Sequence, residues 1–345
     1  MKFNTKCVHG GGKPDSTGAI SPAIYMSSTF THPGLGETTG FQYTRESNPT
    51  RDRLETLIAG LEEGTDAIAF SSGMAAVDAV FHLFSPGDHV ILGDDLYGGS
   101  IRLFTNIYEK NGVEFTYVGT SDLDAVQAAF KPNTKAVYIE TPTNPMMEIT
   151  DVRALSKMAH DRDALVIVDN TFLSPYFQKP LNLGADIVVH SGTKFIGGHH
   201  DVISGFTIVK DDDLAAQLRL IYKTVGACLS AFDSWLVIRG VKTLALRMEQ
   251  HQKNAIALAE WLKNEPKVTK VLFPGLPEHP GYEINKSQTT GFGGMLSFEV
   301  DSEETAKQVL EGIQLIQFAE SLGGTESLLT YPVTQTHPDL KPEDA

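Results

Sequence analysis

The sequence predicts an α/β protein built on a mainly parallel β-sheet with flanking helices. Six short runs of apolar and β-branched residues recur between residues 66 and 190, and helical patterns separate most of them. The runs are apolar on both faces, as expected for strands of a parallel sheet that helices cover on both sides. The six runs are DAIAF, HVIL, VEFTYV, AVYIE, LVIVD and DIVVH.

Helical segments are indicated by the spacing of apolar residues. Leu54, Leu57, Ile58 and Leu61 recur at helical intervals, and Thr50 is a candidate N-cap for this helix. A second helix is predicted over MAAVDAVFHLF, directly after the turn SSG.

The chain divides into three predicted parts. Residues 1–45 are rich in glycine and turn-forming residues and are expected to form an extended arm. Residues 46–238 hold the alternating strands and helices. Residues 239–345 are predicted to form a smaller α/β domain. The long helical stretch Ser230–Asn264 is followed there by MLSFEV, a helical pattern near Glu303–Glu311, and LIQFA.

The composition restricts the class of protein. The chain has 345 residues, 41% of them apolar, and its 43 acidic and 28 basic residues give a net charge of −15. This charge argues against nucleic acid or an anionic membrane as a partner, since both bind basic surfaces. Cys7 and Cys228 are too few for a disulfide framework, and no apolar run approaches the ~20 residues of a membrane span. We therefore expect a soluble, cytoplasmic protein without a signal peptide.

Ligand sites of open parallel sheets lie at the carboxyl ends of the strands. The turn Ser71–Met74, after DAIAF, opens a helix whose free N–H groups could bind phosphate, although small residues there are also ordinary caps. Tyr97 follows HVIL and, taken alone, would be a surface tyrosine. Asp169 ends LVIVD and is a helix cap, an ion-pair partner or a ligand contact.

The stretch HSGTKFIGGHHD, residues 190–201, follows the sixth run. It places Lys194 just beyond a buried strand, among Ser191, Thr193 and several glycines. Four interpretations are open for this lysine at this point. It is a surface residue, a phosphate ligand, part of a metal site, or a nucleophile.

Together, these residue types match the requirements of pyridoxal 5'-phosphate. The phosphate needs N–H and hydroxyl donors, the ring an aromatic face, the ring nitrogen a carboxylate, and the aldehyde a lysine. A lysine whose pKa is lowered by its surroundings is also a usable nucleophile and base.

The chain resembles the Cys/Met-metabolism family of pyridoxal-phosphate enzymes, from about residue 5 to its end. Seven stretches in order carry the resemblance, and they are specific as a set. The resemblance implies the fold of type I pyridoxal-phosphate enzymes and chemistry at carbon–sulfur bonds. The stretches are YTRESNPT (Tyr43–Thr50), FSSGMAA (Phe70–Ala76), DDLYGGS (Asp94–Ser100), ETPTNP (Glu140–Pro145), VDNTF (Val168–Phe172), HSGTKFIGGHHDV (His190–Val202) and ESLGGTESL (Glu320–Leu328).

The resemblance assigns catalytic and cofactor-binding roles to residues of this chain. Lys194 would bind the cofactor as a Schiff base and then move protons during the reaction. Asp169 would pair with the ring nitrogen, and Tyr97 would stack on the ring. Gly73 and Met74 would bind the phosphate through their backbone N–H groups.

The resemblance implies further contacts and an assembly. Ser191 and Thr193 would add hydroxyl donors to the phosphate, and Asn144 would contact the O3' side of the cofactor or the substrate carboxylate. Tyr43 and Arg45 would reach the phosphate of a neighbouring subunit, since active sites of the family form across a dimer interface. The implied assembly is a homotetramer built as a dimer of dimers.

Two departures from the family pattern limit these expectations. Gly99 stands where methionine γ-lyases usually carry a cysteine, which disfavours that activity. The chain ends at HPDLKPEDA, where family members continue to a strand whose arginine binds the substrate carboxylate. We therefore expect that the sequence is shortened and that Ser321 is the remaining member of the carboxylate site.

Within the family, the expected reaction is α,γ-elimination of L-cystathionine. Glu320 resembles an acidic residue that can face the distal amino group of this substrate, although a solvated surface glutamate is the alternative interpretation. The alternative activities are those of a cystathionine β-lyase and a cystathionine γ-synthase, and a methionine γ-lyase ranks below them.

Two other classes of function compete with an enzyme of this kind. A metal site could use His190, His199, His200 and Asp201, but adjacent histidines on an extended segment point to opposite sides, so no metal is expected. A regulatory protein that binds the cofactor without turnover is the second class. The intact cofactor-binding residues argue against it.

Overall fold

The computed structural model describes residues 1–335 and contains a central seven-stranded sheet. Its strands are β1 (Asp66–Phe70), β2 (His89–Gly93), β3 (Glu114–Val118), β4 (Thr134–Glu140), β5 (Leu165–Asp169), β6 (Ile187–Ser191) and β7 (Gly205–Val209). Strands β1 to β6 coincide with the six apolar runs. The predicted α/β class, with a mainly parallel sheet and flanking helices, is therefore confirmed.

Strand β7 is the one strand of this sheet that the sequence pattern does not predict. The sheet order is β1–β7–β6–β5–β4–β2–β3, and all neighbours pair in parallel except the two pairs that include β7. The connection from Ser191 to Gly205 holds no helix, which a parallel crossover would normally place there. The chain instead turns back, and β7 runs antiparallel between β1 and β6.

Helices cover both faces of the sheet and form much of the remaining chain. The α-helices of the described residues are α1 (Phe3–His9), α2 (Pro49–Glu62), α3 (Gly73–Phe81), α4 (Gly98–Leu103), α5 (Leu123–Ala129), α6 (Val152–His160), α7 (Ser174–Phe177), α8 (Asp212–Val225), α9 (Ala231–Val241), α10 (Leu244–Leu262), α11 (Tyr282–Gln288) and α12 (Glu303–Gly312). A π-helical turn, Phe104–Tyr108, continues α4, and a 3-10 turn spans Pro180–Asn182. Within residues 1–335, no helix combines the length and the apolar character needed to cross a membrane.

The helical stretch predicted over Ser230–Asn264 is divided into α9 and α10 by a turn at residues 242–243. The domain boundary predicted near residue 238 falls inside α9, and the division into domains remains a prediction. The irregular N-terminal segment includes α1, which buries Cys7 against the core. The chain end HPDLKPEDA, on which the expectation of a shortened sequence rests, lies outside the described residues.

Two small sheets follow the central one along the chain. Their strands are β8 (Val268–Leu272), β9 (Ser297–Val300), β10 (Gln317–Phe318) and β11 (Leu328–Leu329). Strands β8 and β9 pair antiparallel, and β10 pairs with β11 in parallel. The predicted strand MLSFEV and the helix near Glu303–Glu311 are therefore present, and LIQFA contributes the short β10.

The N-cap of α2 differs from the prediction. Asn48 caps the helix by accepting a hydrogen bond of 2.9 Å from Thr50 N. The Thr50 hydroxyl instead donates to Ala23 O at 3.0 Å and accepts from Tyr25 N at 2.9 Å. Thr50 thus ties the N-terminal segment to α2, a contact between distant parts of the chain that local spacing does not reveal.

Alternate residues of the central strands belong to two apolar clusters on opposite faces of the sheet. Tyr138, Ile167 and Val189 point into the cluster that includes residues of α3, whereas Val137 and Val168 point into the other. Because side chains alternate along a strand, the position of a residue at the strand end decides which face it occupies. This alternation determines which polar residues can meet beyond the strands.

The peptide that joins Ser72 to Gly73 packs directly against Gly205. A Cβ atom on Gly205 would overlap the Ser72 carbonyl and lie 2.7 Å from Gly73 N. We therefore expect Gly205→Ala to lower the free energy of unfolding by about 1–3 kcal/mol through overpacking. Chemical denaturation at fixed protein and cofactor concentrations measures this change.

Gly60→Ala is the matched control for this experiment. Gly60 lies within α2, and a Cβ atom added there would meet nothing within 4 Å. This variant should be neutral or more stable by up to about 1 kcal/mol, because alanine has the higher helix propensity. Equal destabilisation of both variants would show that the packing at Gly205 is not the cause.

Candidate active site

The carboxyl ends of β4, β5 and β6 bring several polar residues together on one face of the sheet. Glu140 and Asp169 are paired in register between β4 and β5, and Asp169 is paired with Val189 of β6. Register partners point to the same face, and so does Ser191, two residues after Val189. Two predicted site residues, Asp169 and Ser191, therefore share a face with Glu140.

Asp169 is connected to Ser191 through Thr171. Thr171 N donates to Asp169 Oδ1 at 2.9 Å, and the Thr171 hydroxyl accepts from Ser191 N at 2.9 Å. Burial raises the pKa of Asp169, and the hydrogen bonds from Thr171 oppose this effect. Thr171 follows the strand-ending aspartate by two residues in the motif VDNTF, and its role was not predicted from the sequence.

Glu140 is a second buried carboxyl in the site, 5% exposed. Its Oε2 accepts from Tyr97 N at 3.1 Å. Burial, and then the charge of Asp169, raise the pKa of Glu140 well above its usual range. The sequence signal for this residue was present, since Glu140 is the polar residue that ends the run AVYIE.

Tyr97 precedes α4 and is half-buried. Burial raises the pKa of its phenol, and the charge of Glu320 adds to the effect. The ring lies over Gly99, where a Cβ atom would come within 3.1 Å of Tyr97 Cδ1. A cysteine at this position would therefore require the tyrosine ring to move.

The turn before α3 provides free donors. Ser72 caps the helix by accepting from Ala75 N at 3.1 Å. In the described part of the chain, no acceptor contacts the N–H groups of Gly73 and Met74. A Cβ atom on Gly73 would lie 3.0 Å from Ser191 Oγ, so the turn and the end of β6 are in close contact.

Lys194 reaches across to a loop that is distant in sequence. Its Nζ donates to Ser321 Oγ at 3.1 Å. Burial lowers the pKa of the Lys194 ammonium, and the negative charge of Glu320 opposes this shift. Gly323 allows the close approach of the two segments, because a Cβ atom there would lie 2.6 Å from Phe195 N.

Thr193 and Asn144 occupy loops next to these strands. The Thr193 hydroxyl donates to Ser204 O at 3.2 Å and accepts from Ser204 N at 3.1 Å, which fixes the start of the lysine-bearing loop. Asn144 is half-buried in the loop that leaves β4. Both residues are placed near the strand ends, while their roles toward a ligand stay predictions.

Tyr43 and Arg45 contact a different part of the chain. The Arg45 guanidinium lies 5.6 Å from the centre of the Tyr43 ring and donates to Lys223 O at the end of α8. Within residues 1–335 of one chain, no hydrogen bond or ion pair joins either side chain to Lys194 or Asp169. Their predicted role, reaching the phosphate of a neighbouring subunit, is not tested by a single chain.

The histidines of HSGTKFIGGHHD have separate partners. His190 Nε2 lies 2.6 Å from Glu62 Oε1, His199 Nδ1 lies 2.9 Å from Gly197 O, and His200 faces Glu326. Among residues 1–335, no three His, Cys, Asp or Glu side chains come together in a group that could hold a metal ion. The structure therefore gives each histidine a protein contact of its own.

A cavity of about 600 Å³ opens beside the loop that carries Lys194. None of the described residues that line it is a lysine or an arginine. Its polar lining residues are Thr193, His200, Asp201, Gln317, Glu320, Ser321 and Glu326. Three of these residues are acidic, so the cavity favours a ligand that carries positive charge.

The residues at the strand ends fit pyridoxal phosphate. Gly73 and Met74 offer free N–H groups at a helix start, where a phosphate binds well. Asp169 offers a carboxyl for the ring nitrogen, and Lys194 offers an amine whose pKa is lowered. Tyr97, which directly precedes α4, would supply the aromatic face.

Comparisons with known proteins agree with pyridoxal phosphate as the cofactor. The family model described as "Cys/Met metabolism PLP-dependent enzyme" matches residues 4–345. A protein named cystathionine beta-lyase from Lactococcus lactis subsp. cremoris (strain MG1363) is 49% identical over 342 residues, which cover 99% of this chain and 90% of that protein. A protein named cystathionine gamma-lyase from Bacillus subtilis (strain 168) is 48% identical over 344 residues, with coverage of 99% and 91%.

A further relative has two other activities in its name, and a solved structure has nearly the same fold. A Bacillus subtilis protein named cystathionine gamma-synthase/O-acetylhomoserine (thiol)-lyase is 46% identical over 340 residues, covering 98% of this chain and 87% of that protein. The crystal structure of cystathionine gamma-lyase from Lactobacillus plantarum complexed with L-serine has a TM-score of 0.98 and 47% identity, covering 100% of this chain and 90% of that one. The chain therefore belongs to the Cys/Met metabolism family of pyridoxal-phosphate-dependent enzymes, which includes lyases and synthases of cystathionine.

Proposed function

We propose that this enzyme catalyses the α,γ-elimination of L-cystathionine to cysteine, 2-oxobutyrate and ammonia. The observation that carries the proposal is the acidic cavity beside Lys194, in which Glu320 lies next to Ser321. L-Cystathionine has a distal ammonium group, which such a cavity would attract. β-Elimination to homocysteine and pyruvate, and γ-synthesis, are the alternatives, because relatives of similar identity have all three names.

The residues of the site can carry out this chemistry when the cofactor is bound. Pyridoxal phosphate supplies an electron sink for the negative charge that develops at the substrate Cα. Lys194 takes the Cα proton, and its lowered pKa makes the neutral amine available at a lower pH than for an ordinary lysine. Asp169 would keep the ring nitrogen of the cofactor protonated, and Tyr97 would stack on the ring and orient it.

The substrate is held at its two ends in this proposal. Ser321, hydrogen-bonded to Lys194 Nζ, lies where it can meet the α-carboxylate, with Asn144 as a second contact. Glu320 faces the distal ammonium. Removal of a Cβ proton then allows the Cγ–S bond to break, and the sulfur leaves with the bonding pair as the thiolate of cysteine.

The proposed assembly is a homotetramer that works in the cytoplasm. Tyr43 is 46% exposed, and Arg45 is also at the surface, so both are accessible to a second copy of the chain. Cys7 and Cys228 are free thiols, as expected for a reducing compartment.

The 2-oxo acid that is released tests the direction of elimination. With L-cystathionine as substrate, we expect 2-oxobutyrate as the main product, detected as its hydrazone by mass spectrometry. Pyruvate alone would assign the enzyme as a β-lyase instead. Formation of cystathionine from cysteine and an activated homoserine, without release of a 2-oxo acid, would assign it as a synthase.

The Glu320→Gln variant tests the contact with the distal ammonium. Because Glu320 is exposed, loss of its charge should lower kcat/KM for L-cystathionine only about threefold to fivefold, mainly through KM. A thioether analogue without the distal amino group is the control substrate, and its kcat/KM should not fall. An equal loss of kcat/KM for both substrates would show that Glu320 does not recognise the distal amino group.

The Lys194→Ala variant tests the assigned base and cofactor-binding residue. We expect turnover to fall by at least about 10²–10⁴-fold, because a positioned general base is lost. Borohydride treatment should attach the cofactor covalently to the wild type and not to the variant. Lys253→Ala, at an exposed lysine of α10, is the control. Covalent attachment in Lys194→Ala would mean that another lysine holds the cofactor.

A further inference from the structure

Glu140 is a buried carboxyl that none of the steps above uses. It ends β4 directly beside Asp169, which ends β5, and the two residues are register partners on the same face of the sheet. Glu140 is 5% exposed, so little water reaches it. Two carboxyl groups thus lie side by side at the position where the ring nitrogen of the cofactor would bind.

The surroundings of this pair restrict its charge. The titratable groups that face Glu140 are Asp169, Asp95, Tyr97 and Tyr138, each of which is neutral or negative. His190 acts on the other member of the pair, Asp169, and lowers the pKa of that carboxyl. Two adjacent buried carboxyls do not both ionise, because each charge disfavours the other. The pair therefore retains one proton.

The hydrogen bonds indicate which member of the pair is ionised. Asp169 Oδ1 accepts from Thr171 N at 2.9 Å, and the Tyr138 hydroxyl lies 3.5 Å from Oδ2. Donors of this kind stabilise a carboxylate, and Asp169 has these two, whereas Glu140 accepts the single N–H of Tyr97 described above. Asp169 must also be ionised to pair with a protonated ring nitrogen. The remaining proton is then left on Glu140, and burial raises the pKa of Glu140 well above its usual range, in agreement with this assignment.

Glu140 also holds the loop that carries Tyr97. Its Oε2 accepts the backbone N–H of Tyr97 at 3.1 Å, and a neutral carboxylic acid can still accept this bond. The Tyr97 ring also packs closely against Gly99. Glu140 therefore links Tyr97, which is proposed to stack on the cofactor ring, to Asp169, which is proposed to pair with the ring nitrogen.

We propose that Glu140 is a positioning residue that is protonated in the working enzyme and fixes Tyr97 against the cofactor ring. The role concerns cofactor binding and is independent of which carbon–sulfur bond is cleaved. In this proposal, the neutral form of the Glu140 side chain is the functional form.

The Glu140→Gln and Glu140→Ala variants of the holoenzyme test this proposal. Glutamine keeps the size, the neutrality and the accepting oxygen, whereas alanine removes the bond to Tyr97. We expect Glu140→Gln to bind pyridoxal phosphate within about threefold of the wild type, and Glu140→Ala about tenfold more weakly. The visible circular dichroism of the bound cofactor should change in Glu140→Ala and be restored in Glu140→Gln.

Infrared difference spectroscopy tests the protonation directly. The difference between wild type and Glu140→Gln should contain the carbonyl stretch of a protonated carboxylic acid, which shifts in D₂O. Absence of this band overturns the proposal. It is also overturned if Glu140→Gln binds the cofactor as weakly as Glu140→Ala, since the ionised form would then be required.

Asp169→Asn is the matched comparison, since it makes the same change from acid to amide one strand away. Because Asp169 acts as a carboxylate, this variant should lose at least tenfold in cofactor affinity where Glu140→Gln does not. If both amide variants bind the cofactor equally well, the two carboxyls do not have the different charges assigned here. Should Glu140→Ala fail to fold, the infrared band and the comparison of the two amide variants still decide the question.

Discussion

The parallel register of β4, β5 and β6 is the constraint on which the active site depends. It places Glu140 beside Asp169 and sets Ser191 on the same face of the sheet. A slip of one residue in any of these strands would turn its terminal side chain toward the opposite apolar cluster. The groups that we propose to contact the cofactor are therefore positioned by backbone hydrogen bonds of the sheet.

Hydrogen bonds on the other side of the strand ends support this arrangement. His190 and Asn170 are the sequence neighbours of Ser191 and Asp169, and both contact Oε1 of Glu62, at 2.6 and 2.9 Å. All three of these supporting residues are fully buried. Loss of either contact would leave a buried polar atom unpaired at a cost of about 1–3 kcal/mol, so these two bonds hold the strand ends in place, although Glu62 Oε2 and His190 Nδ1 have no partner among the described residues. At the ends of β5 and β6, one residue faces the proposed site, and its neighbour in sequence stabilises the fold.

The loop that carries Ser321 completes the site from a distant part of the chain. Its contact with Lys194 Nζ depends on how closely two backbones can approach. Gly323 has φ of +79° and packs on Phe195 N, and a side chain at Gly324 would overlap the ring of His200. The glycine pair in ESLGGTES, which follows Leu322, therefore lets the loop that carries Ser321 approach the lysine-bearing segment closely.

The sequence by itself determined the α/β class, six strands of the sheet and the cofactor. The apolar runs are local signals, and the polar residues that follow several of them match pyridoxal phosphate as a set. Tertiary structure decided the rest. The antiparallel course of β7 depends on how the chain turns back after β6, and the role of Thr50 depends on an N-terminal segment packed against it. Glu140 ends an apolar run of the sequence just as Asp169 does. Its proposed role could be inferred only from the register that sets the two carboxyls side by side. Local pattern reports which residues end a strand, whereas the charge that each can carry depends on neighbours that only folding supplies.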